Sequence, residues 1–558
     1  MPTPISRTAR LRAELDALRD EVASVRFELD VAGRPTWIGV RNRAIASVET
    51  HLDTRLGDLD APLLVVVFGP TGSGKSTLTN TLAGRQISRS GVLRPTTTEA
   101  VVWCHRRDSD RLRRSALAAT GPIEIVDDDH QLLQSIVVID TPDIDSIATE
   151  HRIQTERILL MADAAIAVTT PQRYADAVPW ELLADLTARG MPLRVVMNRT
   201  DRRSSGAVTD LAALLRERGV GGVRSTDDIL AIQEQRVRGD GRLSNASVRR
   251  ILAGLEDLAA RHEEVVGAGV TGAVERVAAD ALLLANAIDQ LQSEADRRLA
   301  AVDQAYRSQV EEIEHQLASG DLVRAEVVER WRRLVGVGDL ARIVSRGASR
   351  VRDIVVPREV EQRAEAVGSE VRSELFGMTL HRMGRASSLA AAAWEIDPAG
   401  VQLLAATEKI DRGDVEADVG MEIDAWLASV VALVASQGKS RFRLARALTI
   451  GVNAAATLIL LAVFASTGGL TGGEVGVVAG TAAAQQTILE HVFGSAAASR
   501  LASQSRRDLV RRLSDLLEAD ADRFRQAVRL VLDDPGTARR LREAAHRVEQ
   551  ALVGVADG

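Results

Sequence analysis

The chain has 558 residues, 46% of them apolar, with 70 Lys and Arg against 77 Asp and Glu for a formal charge of −7. That length excludes a single core, that composition excludes extensive disorder, and the near-balance of charge excludes a general nucleic-acid binder, which needs a basic excess. One cysteine, Cys104, excludes an internal disulfide and fits a reducing compartment, and the first twenty residues hold no apolar signal core.

Eleven of the fourteen prolines lie at or before Pro192, so the first part is punctuated by turns and the rest is free to run as long helices. Residues 7–58 read as two helices separated by VAGRPTW. Over 61–235, apolar runs (LLVVVF, AVVW, SIVVID, AAIAVTT, LRVVMN) alternate with helical segments, the pattern of a mostly parallel sheet with crossover helices.

The first run stops at Gly69-Pro70-Thr71-Gly72-Ser73-Gly74-Lys75-Ser76, followed by Thr77, which fits G-x-x-x-x-G-K-[ST]. Glycines let backbone N–H groups turn inward around phosphates, lysine reaches the β and γ oxygens, and the serine hydroxyl ligates Mg²⁺. Next, LRPTTTEA (93–100) resembles the threonine region of switch I. Thr98 is the first choice for the residue that ligates Mg²⁺ and senses the γ-phosphate, with Thr97 second. VVIDTPD then supplies Asp140 as a water-mediated Mg²⁺ ligand. The usual pattern is D-x-x-G, but Asp143 stands at the glycine position, and Ile144 follows where small GTPases place a catalytic glutamine. No side chain is an obvious water-positioning group, so slow hydrolysis in isolation is expected.

RVVMNRTD brings Asn198, Arg199 and Asp201 to a strand end. It resembles the N-K-x-D element with Arg for Lys. A carboxylate at Asp201 suits guanine, whose N1–H and exocyclic amine both donate. Asn198 suits the N7/O6 edge, and the Arg199 stem suits the base face. The fifth GTPase element is expected near DILAIQE (228–234).

From about residue 244 the period changes. Val277, Ala281, Leu284, Ile288, Leu291, Ala295, Leu299, Val302, Tyr306, Val310, Ile313 and Leu317 recur at steps of four and three, an apolar stripe about 60 Å long if unbroken. Leu340–Val356 carries Arg342, Arg346 and Arg350 on one face and apolar residues on another, a basic amphipathic pattern suited to anionic lipid or to a solvated surface. Ala447–Ser466 is an uncharged run of bilayer length, followed by a glycine-rich bend and a weaker run over Val475–Leu489. Lys439, Arg441, Arg443 and Arg446 precede the pair and Arg500, Arg506 and Arg507 follow it. By the positive-inside rule this is a hairpin with both ends cytoplasmic; the alternative is a pair of buried alanine-rich helices.

The expected fold is therefore an α/β P-loop GTPase domain plus a long all-α bundle or stalk containing an apolar hairpin. The expected segments are N-terminal helices over 1–60, the GTPase domain over 61–243, a helical stalk over 244–438, the hairpin over 439–500 and returning helices over 501–558. This architecture, with Gly69–Ser76, the threonines 96–98, Asp140 and Asn198–Asp201, resembles the bacterial dynamin-like proteins, closest to actinobacterial members associated with the membrane and septum. The resemblance implies a GTPase that uses GTP and Mg²⁺, associates with itself or a paralogous GTPase, works on anionic membrane lipid without binding nucleic acid, and sits at the cytoplasmic membrane with its GTPase domain inside. It also implies that Lys75, Ser76 and Thr98 serve hydrolysis, and that residues 7–58 pack with the tail 501–558. Asp143 departs from the family's glycine, and Gly72 departs from the Asn or Ser that helps bind a monovalent cation. The competing expectation is a membrane-anchored regulatory or scaffold GTPase that does not reshape lipid. A transporter-type ATPase is disfavoured because no LSGGQ-like signature is present.

Overall fold

The structure is a computed structural model that describes residues 4–88, 99–144, 149–175, 177–188, 190–201, 204–220, 223–319, 358–436 and 495–556. The threonines 96–98, the amphipathic segment 340–356 and the apolar pair 447–489 lie outside the described residues. Among the described residues no helix is long and apolar enough to cross a membrane. The chain divides into two compact units, one of residues 1–27, 32–290 and 533–558, the other of 28–31 and 291–532.

The first unit is built on a seven-stranded sheet: β1 Leu63–Phe68, β2 Ala100–His105, β3 Ile123–Asp128, β4 Ile136–Asp140, β5 Ala164–Thr169, β6 Leu193–Thr200 and β7 Ile229–Gln233. Their order is β3-β2-β4-β1-β5-β6-β7. Strands β4, β1, β5, β6 and β7 are mutually parallel, while β2 and β3 pair in parallel with each other and β2 meets β4 antiparallel. Central strands such as LLVVVF and IVVID are apolar almost throughout because helices cover both faces. Val66, Ile139, Ala165 and Met197 pack there with Ile158, Trp180, Leu211 and Leu215 from the crossover helices. Edge strand β3, reading I-E-I-V-D-D and only half-buried, is not among the strands expected from apolar runs, because an edge needs only one apolar face.

Helices from both ends of the chain also belong to this unit. The helix Pro4–Ser24 buries Leu11, Leu15, Leu18 and Val22, at steps of four, three and four, and it pairs with Thr537–Ala556, which buries Leu541, Ala544, Val548 and Leu552. Glu21–Arg540 and Glu14–Arg547 ion pairs flank the seam, each at 3.0 Å. The N-terminal helices are fixed to the sheet by Arg55, whose guanidinium forks onto Asp163 at the start of β5. Arg55 also donates to the carbonyls of Ala61 (2.8 Å) and Pro62 (3.1 Å), and the Leu64 amide donates to Asp163 at 2.8 Å. Burial lowers the Arg55 guanidinium to about 10.

The second unit is helical in its described residues. The sequence stripe lies on the helix His262–Ser319, whose residues from 291 on belong here, with Leu291, Ala295, Val302, Tyr306, Ile313 and Leu317 buried and Leu299 and Val310 half-buried. The helices Arg358–Trp394, Pro398–Glu408, Val415–Ser436 and Ser495–Val531 pack in the same unit. The chain's few aromatics act as pins. Trp394 meets Phe524 edge-on at 5.1 Å and donates to the Arg298 carbonyl, Trp426 donates to the Ser505 carbonyl, and Tyr306 donates to Asp520. Their polar tips are thereby met inside the core, as burial demands.

Because Arg55 and Asp163 are both nearly inaccessible, removing one partner leaves a buried charge unmet. Asp163→Ala is expected to destabilise the unit by about 3–5 kcal/mol, read as a lower urea midpoint in the full chain. A loss below about 1 kcal/mol, the range of an exposed pair, would show that the guanidinium re-solvates.

Candidate nucleotide-binding site

Three loops meet at the carboxyl edge of the sheet, where parallel α/β folds place ligands. They follow β1 (69–74), β4 (from Thr141) and β6 (from Asp201), with the last residues of β4 and β6 contributing as well.

After β1 the backbone makes turns that side chains resist. Gly69 has φ +154°, Gly72 +74° and Gly74 +95°. A Cβ on Gly69 would stand 2.0 Å from the Val168 carbonyl of β5, and one on Gly74 would stand 2.3 Å from Asn198 Nδ2. At Gly69 glycine is therefore required by the neighbouring backbone as well as by torsion, and at Gly74 by torsion and by the Asn198 side chain. Lys75 opens the helix Lys75–Ala83 directly behind Gly74. Its side chain is 5% exposed, and its ammonium donates to the carbonyls of Gly69 at 2.9 Å and Pro70 at 3.3 Å and to Asp143 Oδ1 at 2.5 Å. The contact with Asp143 is one that reading the sequence did not find, although the departure at that position signalled it.

Asp140 ends β4 and is fully buried. Its Oδ2 accepts from the Ser88 hydroxyl at 2.7 Å, and the Ser76 hydroxyl also bonds to this carboxylate. Burial pushes its carboxyl pKa up, against the opposing pull of Lys75, Ser88 and Ser76. Asp140 Oδ1 has no partner among the described residues. A buried, desolvated carboxylate with an open oxygen beside a serine hydroxyl fits a hard divalent cation reached through water. Ser88 was not expected from sequence. It is fixed by Asn80, whose side chain accepts from the Ile87 and Ser88 amides and donates to the Ser88 carbonyl. The signal was an asparagine buried inside a helix with no reason of its own to be there. Thr141 holds the turn after β4 against β1, its amide and hydroxyl both donating to the Val67 carbonyl.

At the end of β6 the pairing with β7 shifts register between Met197 and Thr200, and Arg199 takes φ +58°, unusual for a side-chain-bearing residue. The irregularity turns Asn198 inward. Its Nδ2 donates to the Ser73 carbonyl at 2.9 Å and its Oδ1 accepts from the Arg199 amide. Arg199 and Asp201 are exposed, and Asp201 Oδ1 accepts from the amide and hydroxyl of Ser204. Pro70, Thr71 and Thr77 lie within the loop and first turn, with Pro70 buried and the two threonines half-buried. The structure thus brings together Gly69–Thr77, Asp140 and Asn198 and places Arg199 and Asp201 on the adjoining rim.

The family described as 50S ribosome-binding GTPase matches residues 64–199, the strand, loop and base-edge segment just described. Those residues form a GTPase domain. Over 116 residues, 21% of the chain, there is 30% identity to the probable transmembrane GTPase FZO-like, chloroplastic, of Arabidopsis thaliana, and the match spans 12% of that relative's length. The chain resembles bacterial dynamin-like GTPases. One solved relative, from work on an oligomerised bacterial dynamin pair and the long-range sensing and tethering of membranes, shares 10% identity over 98% of this chain and 95% of its own, with a TM-score of 0.46. Another, the LeoA bacterial dynamin GTPase from ETEC, shares 11% identity over 99% and 97%, with a TM-score of 0.23. At such identities and TM-scores neither says what this chain binds or does.

Asn198 braces the phosphate loop of the GTPase domain whether or not it touches a base. Asn198→Ala strands the Ser73 carbonyl, and a stranded buried acceptor costs about 1–3 kcal/mol. GTP and GDP are expected to bind more weakly by a similar factor, about 10-fold or more, in fluorescent-nucleotide titrations. Unchanged affinity for both would show that the loop holds its shape without the brace.

Proposed function

We propose that this protein is a dynamin-like GTPase that hydrolyses GTP with Mg²⁺ and couples the nucleotide cycle to self-association and to work on membrane. The observation that carries the nucleotide part is the Asn198–Ser73 hydrogen bond, which sets a base-edge element against a phosphate loop. Asp201, three residues on, offers a carboxylate suited to guanine's two donors. Ser76 and Asp140 are the residues that would hold the cation, with Thr98 added by the sequence pattern, and the cation would neutralise charge building on the β and γ oxygens. Lys75 would orient those oxygens.

Support for membrane work comes from the sequence and the helical unit. Ala447–Ser466 is an uncharged run flanked by basic clusters, and a transmembrane GTPase is among the relatives in name. A helical unit larger than its nucleotide domain needs also suits a protein that moves or assembles. The hairpin would set the chain at the cytoplasmic membrane with its GTPase domain inside.

One observation favours the second reading, a membrane-anchored switch without remodelling. Ile144 is buried at 1% in the sheet core, so the position after Asp143 offers nothing to hold the attacking water. Intrinsic hydrolysis is then slow, and an associating copy or paralogue would supply what is missing.

GTP turnover by the full chain is expected to rise at least 10-fold with anionic liposomes, and to vanish in Lys75→Ala. Turnover indifferent to lipid, with GTP-dependent recruitment of protein to vesicles, would favour the switch. Asp201→Asn tests the base: an amide in place of the carboxylate cannot accept both guanine donors, so GTP affinity should fall while xanthosine triphosphate, with a carbonyl at that edge, gains. Equal affinities for GTP and ATP in the wild-type chain would sink the guanine reading.

A further inference from the structure

The feature that the proposed cycle does not use is Asp143. It stands where GTPases of this pattern carry glycine, and its carboxylate takes the third N–H of Lys75, with the Gly69 and Pro70 carbonyls taking the others. Both side chains are largely enclosed, at 5% and 14% exposure. The Asp140 carboxylate is close enough for the two negative charges to oppose each other, Asp143 adding to the upward push on the Asp140 carboxyl.

A P-loop lysine has one task with nucleotide, to meet the β and γ oxygens. An ammonium has three donors, and here two are spent on the carbonyls that shape the loop. The third is held by an anion carried on the chain itself. We propose that Asp143 is an internal stand-in for the γ-phosphate, which makes it a residue that sets the preference between GDP and GTP. With the γ position empty, its carboxylate satisfies Lys75. When GTP arrives, Asp143 must leave Lys75 or face phosphate oxygens across a water-poor pocket, where like charges repel far more than in water. A glycine carries no such cost. The chain therefore favours GDP over GTP relative to its Asp143→Gly form, and GTP binding forces a rearrangement of the turn 141–144. That turn is tied to β1 by Thr141 and to the helix Thr149–Met161 by Thr155, whose hydroxyl donates to the Pro142 carbonyl at 3.2 Å.

This inference rests on the guanine-nucleotide reading above, and the test separates the two. Affinities of the full chain for fluorescent GDP and for a non-hydrolysable GTP analogue are measured at fixed Mg²⁺ for the wild type, Asp143→Asn, Asp143→Gly and Asp143→Glu. Asn keeps the shape without the charge, and Glu keeps the charge. The ratio of analogue to GDP affinity is expected to rise about 10-fold in Asn and Gly, equivalent to about 1.4 kcal/mol, and to stay within about twofold of wild type in Glu. Without nucleotide, Asp143→Asn should unfold at a lower temperature than wild type, since Lys75 loses its ion pair, and the analogue should restore more stability to it than to wild type. An unchanged ratio in Asn and Gly, or weaker binding of the analogue in both, would overturn the stand-in role and leave the GTPase reading intact. Wild-type protein that binds neither nucleotide would overturn both.

Discussion

The ammonium of a lysine side chain only 5% exposed must have its N–H groups met, and the nucleotide site is arranged around that demand. Two of the acceptors are main-chain carbonyls at Gly69 and Pro70, which face Lys75 because Gly69 adopts a torsion that only glycine takes comfortably. The third comes from the turn after β4, which Thr141 pins to the Val67 carbonyl one residue before the end of β1. The phosphate loop, the central strand and the turn that would sense nucleotide therefore share one set of hydrogen bonds. The helix behind the loop adds its positive end to the same place, which favours an anion beside Lys75. In this chain the Asp143 carboxylate lies there.

Strand β5 extends the same logic in the opposite direction. At its start, next to Ala164, Asp163 receives Arg55 from the N-terminal helices; one residue before its end, the Val168 carbonyl crowds Gly69 so closely that no Cβ fits. A strand of six residues thus touches both the charge pair that fixes the N-terminal helices and the floor of the phosphate loop. Proximity of this kind is a route for strain only if the strand has two positions, and intermediacy in space does not establish coupling. It does explain why a helical segment far upstream in sequence is part of the nucleotide domain's own unit: without it, Asp163 would be a buried anion met, among the described residues, by the Leu64 amide alone.

What sequence made legible divides along physical lines. The phosphate loop was legible because two glycines, a lysine and a serine at fixed spacing have few other uses, and the central strands were legible because burial on both faces leaves them uniformly apolar. The long helix was legible because its stripe from Val277 to Leu317 keeps one period over many turns. Edge strand β3 was hidden by its alternation of isoleucine and acid, and the antiparallel join of β2 to β4 leaves no trace in composition. Ser88, Asn80 and the Lys75–Asp143 pair were hidden for a different reason. Their partners lie 52, 8 and 68 residues away, and no local pattern records a hydrogen bond across that separation. The role of Asn198 was half legible: its place beside a base was implied by N-x-x-D, whereas its grip on Ser73 depends on a register shift that only the folded sheet displays.

The two unusual residues of the turn after β4 make sense together. Asp143 is engaged by Lys75, and Ile144 is packed in the core, so neither side chain is presented to a water in line with a γ-phosphate. On the proposals above, a site built this way would give up fast intrinsic chemistry and also easy entry into the triphosphate state. Both losses would act in the same direction, because the aspartate that meets Lys75 stands in for phosphate. For such a protein the occupancy of the active state is governed by whatever draws Asp143 off Lys75. The energy for that must come from interactions that exist only in the other state, because a ligand that binds both states equally shifts nothing. Under the function proposed above, assembly through the nucleotide domain would be one such interaction, if contacts between copies form in one conformation of the turn and not in the other. A glycine in this position would need no such help, so on this proposal the carboxylate, more than the absent glutamine, would be the residue that ties nucleotide state to association.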